Sequence, residues 1–419
     1  MSRLIRINID NYRAFEQGLA LELRPLTLVY GKNNAGKSSI VRLLGILDDS
    51  LSESAESPLD LRGNAGGGMT FVDCLSARNR ELKRLRLSLT WDDSLSAKWT
   101  IGLHNADSIE LVQIEDLLVE KPGETGQPPQ MCWYGNPKIP EAIQPEGATP
   151  VGTLSFRGLV PQNQPDPNPL IALLQNRLAE IRGHVQYLTA VRSKPASLVF
   201  ERGVQPTRLS ADGGDAESIL LTDKAIASEI GSWLRQEVGR DLRRVSMAPK
   251  TWKWLLPPTG APELDIALRD TGEGMGQLLP ILVATGLRKT ATRSDGMAYL
   301  ALEEPTTHLH DDLQIRLATH FARIAMESAP PTIVLETHAR PLLLGIQLAI
   351  LKGDLDPSRV LLYWVEQDKD GISRADPVEF NSQGLPTTPR LRTAFEDERR
   401  ILRELSKTHI QQGGAGNST

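Results

Sequence analysis

Only two cysteines, Cys74 and Cys132, occur in the 419 residues. Two thiols cannot build a disulfide framework or a four-thiolate zinc site, so a reducing cytoplasm is the expected setting. Long apolar runs are missing as well. The most hydrophobic stretches, 278–287 and 341–351, fall well short of the roughly 20 residues a spanning helix needs and predict buried helices, so no membrane partner is expected. Residues 1–15 mix charges with apolar side chains and lack a signal-peptide core. Nor is there an excess of positive charge. With 47 Lys and Arg against 52 Asp and Glu the net charge is -5, so any DNA contact must come from a local patch. No sustained heptads and no internal repeat are found, which argues against a long coiled-coil arm.

What remains is ordinary globular composition, 40% hydrophobic and 24% charged, in a chain long enough for two or three structural units. Alternation predicts strands over 4–9, 21–23, 26–30, 81–91 and 97–103. A loop over 31–38 opens into a helix over 39–47, followed by an acidic connection over 48–60. Residues 120–168 are rich in Pro, Gly and Gln and read as a surface excursion. A helix over 170–182, a strand over 185–190 and a helical region over 216–239 follow. The last third alternates: strands over 264–268, 298–302, 332–335 and 360–365, helices over 277–289, 311–326, 341–351 and 390–407. Alternation of this kind implies an α/β fold, a largely parallel sheet covered on both faces. The tail over 411–419 is Gly-, Ser- and Asn-rich and is expected to be disordered.

Three runs carry chemistry. Gly31-Lys32-Asn33-Asn34-Ala35-Gly36-Lys37-Ser38 fits G-x-x-x-x-G-K-S between an apolar strand and a helix. Its glycines let backbone N–H groups curl around phosphate oxygens, Lys37 can reach the β- and γ-phosphates, and the Ser38 hydroxyl can ligate Mg²⁺. The run Tyr299-Leu300-Ala301-Leu302-Glu303-Glu304-Pro305 is a buried strand ending in two carboxylates. Glu303 is placed to hold a metal-bound water and Glu304 to orient or deprotonate the attacking one. Asp270-Thr271-Gly272-Glu273-Gly274-Met275-Gly276-Gln277 is a second Gly-rich entry to a helix. It is either a tight turn that needs glycine's freedom or a second phosphate device that reaches ATP held by a partner. His338 follows another core strand and can hydrogen-bond the γ-phosphate or the water. His308 and His310 lack a third ligand at metal spacing and read as a subunit-contact turn. The basic run Arg78, Arg80, Lys83, Arg84 and Arg86 reads as a solvated face or a DNA-facing strand.

In this order the motifs resemble those of the ABC-type ATPases of the RecF/SMC/OLD group. Residues 11–15, Asn-Tyr-Arg-Ala-Phe, resemble that group's N-terminal "N-F-R-S-F" element, which implies that Arg13 lies near the nucleotide. Glu303 to His310 resembles "E-E-P-E-x-H-L-H-P", and Glu336-Thr337-His338 the "E-T-H-S" switch histidine. Tyr187 to Arg192 is similar to a "Y-L-G-P-L-R" strand of compact, arm-less bacterial members, and Asp270 to Pro280 to their "D-V-G-x-G-x-S-Q-x-L-P" signature. Gly276 replaces the signature serine, Thr306 an acidic residue and Ala339 the serine after the switch histidine. Asp73 stands where a Q-loop glutamine is expected, and no nuclease-type acidic cluster follows His338.

The resemblance implies an ABC-type P-loop ATPase head with a mixed or parallel central sheet, an antiparallel β subdomain and an inserted helical lobe. Its expected parts are the head's N-terminal portion at 1–92, the β subdomain and helical lobe at 93–260, and the head's C-terminal portion at 261–410. The implied cofactors are ATP and Mg²⁺. Nucleotide contacts fall on Arg13, Gly31, Asn33, Asn34, Ala35, Gly36, Lys37, Ser38 and Ser39, and on Gly272, Gly274, Gly276 and Gln277 from a second copy. Glu304 and His338 are the implied catalytic pair, with Ser38 and Glu303 at the metal. Implied partners are a homodimer or higher homo-oligomer, possible DNA, and a nearby-encoded effector (nuclease or toxin), as in the ATPase subunits of the PARIS and Septu antiphage systems. Hydrolysis is expected to be slow. A RecF-like repair ATPase that binds DNA directly is the alternative.

Overall fold

Four stretches, 26–30, 299–302, 332–335 and 360–365, run apolar without polar alternation, the pattern of strands covered on both faces. The computed structural model describes residues 2–106, 109–122, 130–135, 148–150, 153–162, 168–201, 203–204, 206–289 and 296–388, and all elements below belong to these. In chain order they are β1 (Leu4–Asp10), β2 (Leu19–Glu22), β3 (Leu26–Gly31), α1 (Lys37–Leu51), α2 (Phe71–Cys74), β4 (Arg84–Trp91), β5 (Ser96–Ala106), β6 (Ile109–Glu120), β7 (Gln130–Tyr134) and β8 (Ala148–Pro150). Next come β9 (Phe156–Arg157), β10 (Val160–Pro161), α3 (Pro169–Ala179), β11 (Val185–Leu188), β12 (Val199–Phe200), α4 (Ala216–Thr222), α5 (Lys224–Trp233), β13 (Arg243–Ala248) and β14 (Thr251–Leu255). The chain closes with α6 (Glu273–Gly286), β15 (Tyr299–Glu303), α7 (Asp311–Ala325), β16 (Thr332–Thr337), α8 (Arg340–Lys352), β17 (Val360–Gln367) and β18 (Ser373–Val378).

The four apolar stretches become β3, β15, β16 and β17, the heart of a sheet ordered β11-β15-β16-β3-β17-β18. All neighbours run parallel except the edge pair β17–β18. Strand side chains alternate between faces, and two cores result. Val29, Ala301 and Val334 share a core with Ile40 and Leu44 of α1 and with Leu87, Trp91 and Trp99 of a second sheet. Leu28, Leu302 and Leu335 share the other with Leu279 of α6, Phe321 of α7 and Leu342 of α8. The second sheet is ordered β2-β1-β4-β5-β6-β7-β8, antiparallel apart from β7–β8. The fold is thus α/β, with a mixed central sheet, an antiparallel β layer and a helical layer.

Several expectations need correction. Helix α1 runs on to Leu51, because the acidic residues expected to leave it find partners: Asp48 accepts from the Gly183 N–H and from Arg208. Residues 264–268 form no strand; Ala267 makes one bridge to Leu255, and a 3-10 turn takes over at Leu268. The expected boundary at 92/93 falls between β4 and β5, hydrogen-bonded neighbours of one sheet, and β11 from the expected insertion joins the central sheet. The expected helix over 390–407, the tail over 411–419 and much of the excursion over 120–168 lie outside the described residues. Among the described residues, no helix is long and apolar enough to cross a membrane.

Candidate active site

Register brings the motifs to one end of the central sheet. Glu336 pairs with Val29 and Glu303, Thr337 with Tyr30, and Gly31 with Val365. The loops after β3, β15 and β16 therefore leave side by side at the strands' carboxyl ends, where open α/β sheets bind ligands.

The loop after β3 is fixed by backbone conformation. Gly36 has φ 93° and Asn34 φ 63°, left-handed values that glycine and asparagine tolerate best. Gly31 answers a different demand: a Cβ there would overlap the Val365 carbonyl oxygen of β17. Helix α1 starts at Lys37 with no side-chain cap and no acid in its first turn, so its first N–H groups and the positive end of its dipole are open to an anion. Lys37 is buried and its Nζ donates to the Lys32 carbonyl at 3.0 Å. Ser39 is anchored from behind, its carbonyl accepting from the Tyr12 hydroxyl at 3.0 Å.

In front of this loop lies a cleft of about 760 Å³ walled by Arg13, Asn34, Gly36, Lys37, Ser38, Ser39, Arg42, Arg78 and Arg80. Arg13, itself at φ 53°, donates to the Asp73 carbonyl at 3.1 Å. Asp73 caps α2 with Thr70, which accounts for it without a nucleotide role. Of the basic run, Arg78 and Arg80 face the cleft, while Arg84 pairs with Glu115 at 2.5 Å in a separate groove that Arg86 also lines. The five residues do not make one DNA-facing stripe.

The acidic residues assemble differently from the expectation. Ser38 donates to Glu336 Oε1 at 2.8 Å. Glu303 instead receives Arg42 Nε at 2.5 Å and the Tyr187 hydroxyl at 2.8 Å. That contact with Glu303 raises the Arg42 pKa against the opposing effect of burial. Glu336 was visible in the sequence only as the letter before the switch threonine and histidine. It is buried, and its Oε2 has no hydrogen-bond partner. Burial first, then the charges of Glu303 and Glu304, push its pKa up to about 7 against the pull of Ser38 and Lys37. A buried carboxylate oxygen without a donor, beside a hydroxyl and a lysine, fits a divalent cation that completes its shell with phosphate and water. Among the described residues no group of three or more His, Cys, Asp or Glu could hold a metal alone.

Glu304 and His338 do meet. His338 Nδ1 lies 2.7 Å from Glu304 Oε1. Glu304 adopts φ 39°, a left-handed conformation that holds in a non-glycine residue only when its surroundings enforce it. Neither is a wall of the cleft; both stand at the neighbouring strand ends.

Residues 3–95 match the AAA ATPase domain family. No curated protein matches the chain. Among solved structures, similarity is found to an SMC head bound to the C-winged helix domain of ScpA, at 13% identity and TM-score 0.45 over 90% of this chain and 97% of that one. An SMC head domain from Thermotoga maritima is 12% identical, TM-score 0.43, over 90% and 99%. An Smc head with an extended coiled coil, bound to the C-terminal domain of ScpA derived from Pyrococcus furiosus, is 11% identical, TM-score 0.48, over 97% and 100%.

The second Gly-rich run enters its helix earlier than the expected 277, since α6 begins at Glu273 with Gly272 as its uncapped N-cap. Gly272 is exposed and Gly274 half-buried. A Cβ at Gly274 would sit 2.7 Å from the His308 carbonyl oxygen, so glycine allows the close approach of the turn after β15. Gly276 and Gln277 are engaged within their own chain. Gly276 is buried against Pro195, and the Gln277 amide donates to the Arg192 carbonyl at 3.3 Å. His310 caps α7 by accepting from the Asp312 N–H. His308 stands 3.8 Å from Glu273.

Proposed function

We propose that the chain is an Mg²⁺-dependent, ABC-type ATPase that grips ATP between two copies of itself and converts hydrolysis into a change of shape. One observation carries the reading: the Glu304–His338 pair at 2.7 Å stands at the same sheet end as the Gly31–Ser38 loop. The family match over residues 3–95 supports it.

The N–H groups of residues 34–38 and the ammonium of Lys37 would take the β- and γ-phosphates, with Lys37 leaving the Lys32 carbonyl to do so. Arg13, Arg78 and Arg80 add positive charge along the cleft wall. Ser38 and the free oxygen of Glu336 are the groups that would hold Mg²⁺, with Glu303 joining once Arg42 moves off it. The bound cation supplies neutralisation of charge on the transferring phosphoryl group. Glu304 Oε accepts the proton of the attacking water as the water oxygen bonds to the γ-phosphorus and the bridging oxygen leaves with ADP. His338 holds Glu304 through Nδ1, and its Nε2 is left for the water or the γ-phosphate. The uncapped start of α6 at Gly272 and Gly274 would approach the phosphates bound by the second copy.

The resemblance of the motifs extends this reading to a setting in DNA maintenance or antiphage defence, with a separately encoded effector responding to dimer opening. The test is Glu304→Gln. Nucleotide affinity is expected within about threefold of wild type and hydrolysis at least ~100-fold slower, the scale of a lost general base. Light scattering in ATP should then show a stable dimer. Unchanged turnover would remove Glu304 from the mechanism, and a monomer at saturating ATP would remove the shared grip.

A further inference from the structure

Arg192 is 4% exposed, yet among the described residues it forms no ion pair with a carboxylate. Its guanidinium reaches backbone oxygens instead: Nη2 donates to the Glu303 carbonyl at 2.6 Å, and Nη1 and Nη2 lie 3.5 and 3.4 Å from the Glu304 carbonyl. Nη1 also meets Gln277 Oε1 at 3.3 Å, and the Gln277 amide returns a hydrogen bond to the Arg192 carbonyl at 3.3 Å. Nε remains without a partner.

A buried guanidinium is expensive to desolvate and ordinarily sits against an acid. Burial here pushes its pKa down to about 10, opposed by the charges of Glu303 and Glu304, so it stays protonated at neutral pH. Its donors go to the two carbonyls at the point where β15 leaves the sheet, the second belonging to the residue with left-handed φ. The segment that carries Arg192 is itself pinned. The Ser193 N–H donates to the Asp212 carbonyl and the Ala196 N–H to the buried Glu217, while Pro195 packs under Gly276 of α6. Arg192 and Gln277 therefore tie two elements that do different work: the strand end that aims Glu304, and the helix start that would face a second copy.

We infer that Arg192 is a positioning residue that holds Glu304 in its left-handed conformation and, through Gln277, couples that hold to the position of the α6 start. Docking of a second molecule on α6 then reaches Glu304 through a rigid two-residue link, and hydrolysis depends on dimer closure. The inference rests on the proposed ATPase reading for its consequence, but the link itself is measurable without turnover.

The experiment compares wild type with Gln277→Leu, which breaks the tie to α6 while keeping the arginine, and with Arg192→Lys, which keeps the charge but loses the fork. Hydrogen–deuterium exchange on the nucleotide-free proteins reads the link directly. Peptides covering 303–309 and 272–280 should gain uptake in both variants at unchanged melting temperature, and unaltered protection of 303–309 in both would overturn the coupling. In steady state, Gln277→Leu is expected to lower kcat by about five- to tenfold with ATP affinity within twofold. Arg192→Lys should fall further at similar affinity. Equal losses of affinity and kcat, tracking a drop in melting temperature, would mark both residues as merely structural. A wild type that binds ATP but never hydrolyses it would sink the ATPase reading, while the exchange experiment would still decide the link.

Discussion

His320 shows how strongly one buried side chain can tie this fold to pH. It lies on α7, its Nε2 2.9 Å from the Thr285 hydroxyl of α6, with the Trp233 ring edge-on. Burial, with Arg288 and Arg323 adding to it, pushes its pKa from 6.5 to about 3. In the unfolded chain the imidazole takes a proton below 6.5, and in the folded chain it does not, so the unfolded state binds more protons and stability is lost as the pH is lowered. Above pH 6.5 the effect is absent. Between pH 6.5 and 5 it amounts to about 2 kcal/mol. Urea unfolding of His320→Gln at the two pH values should show a drop smaller than wild type by that amount; parallel drops would clear His320. Also at this scale, Lys37→Ala is expected to weaken nucleotide binding at least ~10-fold, as loss of a charge-assisted phosphate contact implies. Its melting temperature should hardly move, because among the described residues the Lys37 ammonium donates only to its own loop.

At the scale of elements, the first glycine of the phosphate loop belongs as much to the sheet as to the loop. Gly31 closes β3 against β17, where a side chain would collide with the Val365 carbonyl. Gly31→Ala should thus lower unfolding free energy by about 1–3 kcal/mol in the absence of any nucleotide, the usual range for overpacking. An alanine variant as stable as wild type would return Gly31 to phosphate binding alone. The sheet strands were legible because strands covered on both faces leave uninterrupted apolar runs, and the phosphate loop because its glycines and lysine obey local backbone rules. The reach of α1 was not legible, since Asp48 is kept in the helix by Gly183 and Arg208, far away in sequence. The expected strand over 264–268 failed for the opposite reason: alternation was present, but no neighbouring strand paired with it beyond one bridge. In the site, Glu304 and His338 were readable as strand-end residues. That Ser38 turns to Glu336 rather than Glu303 depends on Arg42 and Tyr187 occupying Glu303, a choice among three acids that no spacing encodes.

At the scale of the whole molecule, charge is spread rather than gathered. The net charge is -5, Arg78 and Arg80 turn to the cleft, and Arg84 is neutralised by Glu115. Binding to random duplex DNA is accordingly expected to be weak. Its logarithmic salt slope should be no steeper than about -2, equivalent to around two phosphate contacts. A filter-binding titration that gave a slope several times larger would point to a basic surface outside the residues considered above and would favour the DNA-binding alternative.

The Arg42–Glu303 ion pair has a physiological corollary. While Arg42 is held on it, the Glu303 carboxylate is not free to take a stray divalent ion. On the proposed ATPase reading, magnesium would enter as a passenger on its triphosphate, and the arginine would step aside from Glu303 as that cargo docks.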